Sequence, residues 1–157
     1  MGGIVMTQED KMLLIKDLSS RLPYSVHVQH TSGFSGVLYD ISMHHKYEEN
    51  DNVYDIICYT DFFGDGDSIT IEHFKPYLFP LSSLTEEQRN NISKLLIDTQ
   101  NEFSPYGEIN MKGCDNLFIC SVKQSNALIN YCLANHLDIN GLIEKGLAID
   151  ATGLNIY

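Results

Sequence analysis

Tryptophan is missing from this chain of 157 residues, and positive charge is scarce: 10 Lys and Arg stand against 21 Asp and Glu, for a formal net charge of -11. Without a phosphate-neutralising surface, direct nucleic-acid binding is not expected. No run approaches the roughly 20 apolar residues of a membrane helix. The opening stretch, Met1-Gly2-Gly3-Ile4-Val5-Met6, has no basic n-region, and Met6 stands where a myristoylation motif needs Ser or Thr. These absences lead to the expectation of a soluble cytoplasmic protein without membrane contact.

Paired cysteine spacing is also missing. Cys58, Cys114, Cys120 and Cys132 form no C-x-x-C, and Cys58, Cys120 and Cys132 sit among apolar neighbours, where a free thiol behaves as a small hydrophobe in a reducing compartment. There is no G-x-S-x-G elbow, no G-x-x-x-x-G-K-[ST] phosphate loop and no G-x-G-x-x-G fingerprint, so nucleotide hydrolysis and dinucleotide chemistry lose their usual signals. A nucleophilic cysteine needs an electropositive setting that so acidic a chain rarely offers. No catalytic residue and no cofactor are expected.

What is present is a clear order of local signals. Thr7, with Asp10 three residues on, precedes apolar positions Met12, Leu14, Ile15, Leu18 and Leu22, which predicts a helix over 8–20 ended by Pro23. Alternation over 24–29, then β-rich runs over 36–42, 53–60 and 68–74, predict strands in an antiparallel meander. Pro76 and Pro80 are expected to end strand character. Thr85 and Gln88 form a capping box for a helix over 86–99, a further strand is expected over 117–122, and Leu128, Ile129, Cys132, Leu133 and His136 mark a helix over 123–135. Gly146 follows a short turn over 141–145 as a C′ residue, and the rest reads as a tail. The fold class is therefore α+β: an antiparallel sheet of about four to five strands with three helices packed mainly on one face. One domain over 1–157 is expected, with 1–6 as a flexible leader.

Charge is unevenly placed. Asp40, Glu48, Glu49, Asp51, Asp55, Asp61, Asp65, Asp67 and Glu72 fall within one stretch in which Lys46 is the sole basic residue. Tyrosines stand beside several of these acids, and aromatic plus acidic surface suits an arginine-rich partner. Partner contact is assigned to Glu48, Glu49, Asp51, Asp55, Asp61, Asp65 and Asp67. The run from Asp61 to Asp67 misses the EF-hand register, since Phe63 and Gly64 occupy its third and fourth places.

Two segments, KPYLFPLSSLTEEQ (75–88) and HLDINGLIEKGLAIDA (136–151), resemble small uncharacterised proteins encoded by phages and integrated mobile elements of gut Bacteroidetes. The resemblance implies a phage or mobile-element setting, in a bacterial host's cytoplasm, and no activity. Members carry an aromatic and an arginine where this chain has Ile139 and Asn140.

The leading expectation is a non-enzymatic accessory protein that binds a basic host or phage protein through its acidic surface, in its sharpest form an inhibitor of a host-defence effector. One alternative is a small-molecule binder or nucleotide-signal sponge using Lys75, Tyr77, Arg89, Lys94 and Lys123. A third is a small metal-dependent hydrolase using His44, His45 and His73 with Asp65 or Asp67, although these histidines lack the spacing that sets two imidazoles on one helical face. A homo-oligomer is left open.

Overall fold

The computed structural model describes residues 6–48, 51–61, 69–102 and 122–157. Helix α1 (Gln8–Arg21) starts on a full capping box: Thr7 Oγ1 accepts the Asp10 N–H at 3.1 Å, and the Asp10 carboxylate accepts the Thr7 N–H and hydroxyl at 3.3 and 2.6 Å. These bonds from Thr7 hold the Asp10 carboxyl below the usual range. A 3-10 turn at Leu22–Tyr24 and a left-handed Ser25 (φ 54) then lead into β1 (His27–His30). The first expected strand thus starts three residues late, because Pro23 sits at the head of a helical turn, a place that suits its fixed φ.

Strands β2 (Ser35–Glu48) and β3 (Asp51–Thr60) make a long hairpin that begins near the expected place in β2 and runs six residues further. The strand expected over 68–74 is divided. Residues Ile69–Thr70 form β4 beside β3, a 3-10 turn takes Ile71–His73, and Phe74–Leu78 form β5 on the far side of β1. Helices α2 (Glu86–Glu102) and α3 (Val122–Ala134) follow, then β6 (Ile149–Asp150). The sheet order is β4-β3-β2-β1-β5-β6, antiparallel except for β5–β6. Among the described residues, six strands therefore replace the expected four to five, and the stretch read as a tail supplies the sixth. The strand expected over 117–122 lies outside the described residues, apart from Val122, which opens α3.

Pro76 does not end a strand; it sits inside β5 opposite Val28. The Thr31 N–H donates to His73 O at 2.9 Å, which makes His30/Phe74 a non-hydrogen-bonded pair and, by alternation, Val28/Pro76 another. The Pro76 nitrogen thus faces away from β1, towards the side where β6 pairs with Tyr77 and Leu78 alone. No ladder bond is lost.

The core joins Leu14, Ile15 and Leu18 of α1 to Val26, Val28, Leu38, Ile56, Cys58, Ile71, Phe74 and Leu78 of the sheet region. Leu142, Leu147 and Ala148 close it from the C-terminal turn, and Met6 packs against it, while residues 1–5 lie outside the described residues. Burial pushes the Cys58 thiol up to about 12, and Cys132 is raised for the same reason, so both thiols are inert. Helix α2 opens on the expected box, with Thr85 Oγ1 accepting the Gln88 N–H at 3.1 Å and Gln88 Oε1 accepting the Thr85 N–H at 3.0 Å. It packs on α3, which in turn touches α1.

Candidate functional site

The acids assigned to partner contact are distributed along the β2–β3 hairpin. Glu48 and Asp51 form its last pair, and Asp55 lies opposite His44. For Glu48, Asp51 and Asp55 the backbone alone is described, and Glu49, Asp65 and Asp67 lie outside the described residues. Asp51 and Asp55 stand four positions apart on the strand, so they span ~13 Å of β3. Asp61 stands at the opposite end of the hairpin, exposed, where its carboxylate accepts the Val37 N–H at 2.6 Å while its own N–H donates to Val37 O at 3.1 Å. It closes the base of the hairpin. Asp40 accepts its neighbour's N–H from Ile41, and Glu72 stands 3.6 Å from Lys11 of α1, a basic partner that lies far from it in sequence.

The histidines separate. His44 Nε2 meets Ser42 Oγ at 3.1 Å on β2, whereas His73 lies beside His30, ring centroids 5.7 Å apart, with Nδ1 3.5 Å from Thr31 Oγ1. His45 is placed opposite Tyr54 by backbone only. Among the described residues, no group of three or more His, Cys, Asp or Glu is arranged to hold a metal ion.

The basic set is also spread out. Lys75 pairs with Gln29 on β5, and Arg89 and Lys94 are exposed on α2, five residues and therefore ~140° apart around its axis. Lys123 stands in the first turn of α3, described by backbone only. Tyr77 keeps 5 % of its surface, with its hydroxyl 3.0 Å from Ser35 Oγ.

Two polar clusters were missed by sequence reasoning. In the first, Arg21 and Asp17 are fully buried one turn apart on α1: Nε donates to Oδ2 at 2.6 Å and Nη2 to Oδ1 at 3.0 Å. Nη2 also donates to Leu137 O at 2.8 Å, and Asn140 Nδ2 to Asp17 Oδ1 at 2.8 Å, so the pair ties α1 to the loop after α3. The signal was present, since Asp17 and Arg21 share the helical face of Leu14 and Leu18. Asp138, in the same loop, accepts the Leu142 and Ile143 N–H groups at 2.9 Å each.

The second cluster gathers around His136, which ends α3 in the left-handed region (φ 54). Its N–H donates to Leu133 O, and the Leu137 N–H donates to Cys132 O. That bond pattern normally takes Gly or Asn at this place. The His136 ring stacks on Tyr157 at 3.7 Å and 12°, and Tyr157 donates its hydroxyl to Tyr77 O at 2.8 Å and accepts the His27 N–H at 3.2 Å. Burial, then the Arg21 and His27 charges, lowers His136 to about 4. Burial of its hydroxyl end pushes Tyr157 up to about 12, although 44 % of the residue's surface is exposed. His136 Nδ1 and Arg21 Nη1 have no hydrogen-bond partner among the described residues. This cluster locks the C-terminal segment onto β1 and β5, and it brings together a neutral imidazole, a protonated phenol and a paired guanidinium, none of them poised as a nucleophile.

Comparison with family models, with curated proteins and with solved structures finds no match. Among the described residues, no helix is long and apolar enough to cross a membrane.

Proposed function

We propose that this chain is a binding module whose acidic hairpin engages a basic protein. The observation that carries the reading is the β2–β3 ladder, which closes on Glu48 and Asp51 and continues down β3 to Asp55. An arm of this kind concentrates negative field along one projecting element, which raises encounter rates with a positively charged surface and lowers them with phosphates. Among the described residues, the buried Asp17–Arg21 pair and Asp138 hold the fold together, and the β2–β3 hairpin carries Asp40, Glu48, Asp51 and Asp55 against Lys46 alone. The setting, an accessory protein of a phage or mobile element acting on a host-defence effector, rests on the resemblance of residues 75–88 and 136–151 alone.

The test uses an immobilised peptide rich in Arg and Lys and follows association by surface plasmon resonance. Wild type is compared with a variant in which Glu48, Glu49, Asp51, Asp65 and Asp67 are changed together to Gln or Asn. Association of the variant is expected to be slower by on the order of tenfold at low salt, the two chains converging towards molar salt as screening removes the difference. Equal rates at every salt concentration would refute the acidic-arm reading. Loss of binding in His44→Ala or His73→Ala alone would refute it as well, in favour of a metal site.

A further inference from the structure

We infer that β3 takes an extended, Lys- and Arg-bearing segment of the partner as an added strand along its outer edge; this rests on the acidic-arm reading and names its mode. The direction of the backbone groups follows from the register. The Asp61 N–H donates to Val37 O, so Leu38/Thr60 is a non-hydrogen-bonded pair and the Thr60 backbone groups point away from β2. From Tyr59 to Asp51 the pairing with β2 is unbroken, the single irregularity lying on β2 between Leu38 and Asp40. Alternation therefore turns Cys58, Ile56, Tyr54 and Asn52 outward in succession. Cys58 meets Ile69 of β4, and β4 reaches no further along β3 than Ile57. Among the described residues, then, Asn52 and Tyr54 direct both backbone groups to an edge with no second strand, and Ile56 directs its N–H there.

On the other side, β1 pairs with β2 as far as Val37, so among the described residues the arm is a two-stranded ribbon from the middle of β2 onward. Ribbons of two strands are marginal in water, and a third strand stabilises them. Charge decides the occupant. Strand β3 carries Asp51 and Asp55 and no Lys or Arg, whereas β2 offsets its Asp40 and Glu48 with Lys46 and carries two histidines, so β3 is the edge that favours a basic strand. A second copy of this chain, net charge -11, would set acids against acids, the arrangement that protects natural edges from self-pairing.

The probe is the octapeptide acetyl-Lys-Val-Arg-Val-Lys-Val-Arg-Thr-amide, used with the full chain labelled with ¹⁵N. Two further peptides are N-methylated along one edge or the other. Binding is expected to protect the Asn52, Tyr54 and Ile56 amides from hydrogen exchange. One N-methylated peptide is expected to bind about tenfold more weakly and the other about as well as the parent, because a single edge of the peptide bonds to β3. Tyr54→Pro, whose lost N–H faces outward, is expected to keep the far-UV circular dichroism of the fold and lose the peptide. Val53→Pro, whose N–H faces β2, disrupts the hairpin.

Salt-sensitive binding that leaves these amides unprotected, with both N-methylated peptides equal to the parent, sinks strand addition and leaves the acidic arm standing. Protected amides with equal binding of a Ser-substituted peptide at every salt concentration sink the acidic arm and the basic occupant with it. Edge amides already protected in the free monomer, or a dimer by light scattering that the peptide does not dissociate, overturn the inference too.

Discussion

Replacing Asp17 by alanine strands the Arg21 guanidinium inside the core. The bonds at 2.6 and 3.0 Å disappear, Asn140 loses its acceptor, and Arg21 retains Leu137 O at 2.8 Å as its remaining partner among the described residues. Both side chains have 0 % exposure, so the guanidinium is out of reach of bulk water. Breaking a buried pair from one side costs about 3–5 kcal/mol, because the remaining ion keeps its desolvation penalty and loses its compensation. At roughly 2–4 °C per kcal/mol for a chain of this size, Tm falls by about 6–20 °C. Removing both partners avoids the stranded charge: with Asp17→Leu and Arg21→Met, Leu137 O keeps the Ile139 N–H at 3.1 Å, and the double variant is expected to be more stable than Asp17→Ala. With no tryptophan to report, urea unfolding at pH 7 is followed by far-UV circular dichroism, and the midpoint shift is read at constant slope. A cost below about 1 kcal/mol for Asp17→Ala, or a double variant less stable than the single, would show that the pair is not the joint between α1 and the loop after α3.

Three further outcomes are expected. Thr85→Ala removes the acceptor of the Gln88 N–H and lowers stability by about 0.5–2 kcal/mol, checked by the same urea midpoint. Gly146 has φ +70 with open space around the site of a Cβ, so Gly146→Ala costs about 1–2 kcal/mol of backbone strain with no clash; an unchanged midpoint would contradict the left-handed turn. His136 is lowered to about 4, below its unfolded value near 6.5, so its neutral form stabilises the fold fully above about pH 6.5. That contribution is lost as pH falls from there towards 4, where the unfolded chain binds the proton first. His136→Asn, which tolerates the left-handed backbone, should flatten this part of the stability profile; identical wild-type and variant slopes between pH 6.5 and 4 would rule it out.

The starts of α1 and α2 were legible residue by residue, since a capping box is built from groups three positions apart and needs no distant partner. Gly146 was legible for the same reason, its turn closing through the Gly146 N–H to Ile143 O and the Leu147 N–H to Leu142 O. The β2–β3 hairpin was legible from composition, and its full length was not: nothing local to Met43–Glu48 distinguishes a ribbon from a loop until the opposite strand supplies the register. Pro76 misled because a proline's cost in a strand depends on which way its nitrogen faces, and that is set by β1.

The acidic stretch was visible as a run of charges, yet only the ladder places Glu48 beside Asp51 and separates Asp61 and Glu72 from them. Asp17 and Arg21 could be seen as one helical face, but their burial required the loop at 137–140 to close over them. The sequence by itself determined the α+β class, the capped helices and the sign of the charge, because each follows from interactions within a few residues or from composition. Tertiary structure decided the division of 69–78 into strands on opposite sides of the sheet, the recruitment of Ile149–Asp150 as a sixth strand, and the placing of His136 against Tyr157. Those features depend on contacts between residues tens of positions apart, where loop closure and packing outweigh local preference.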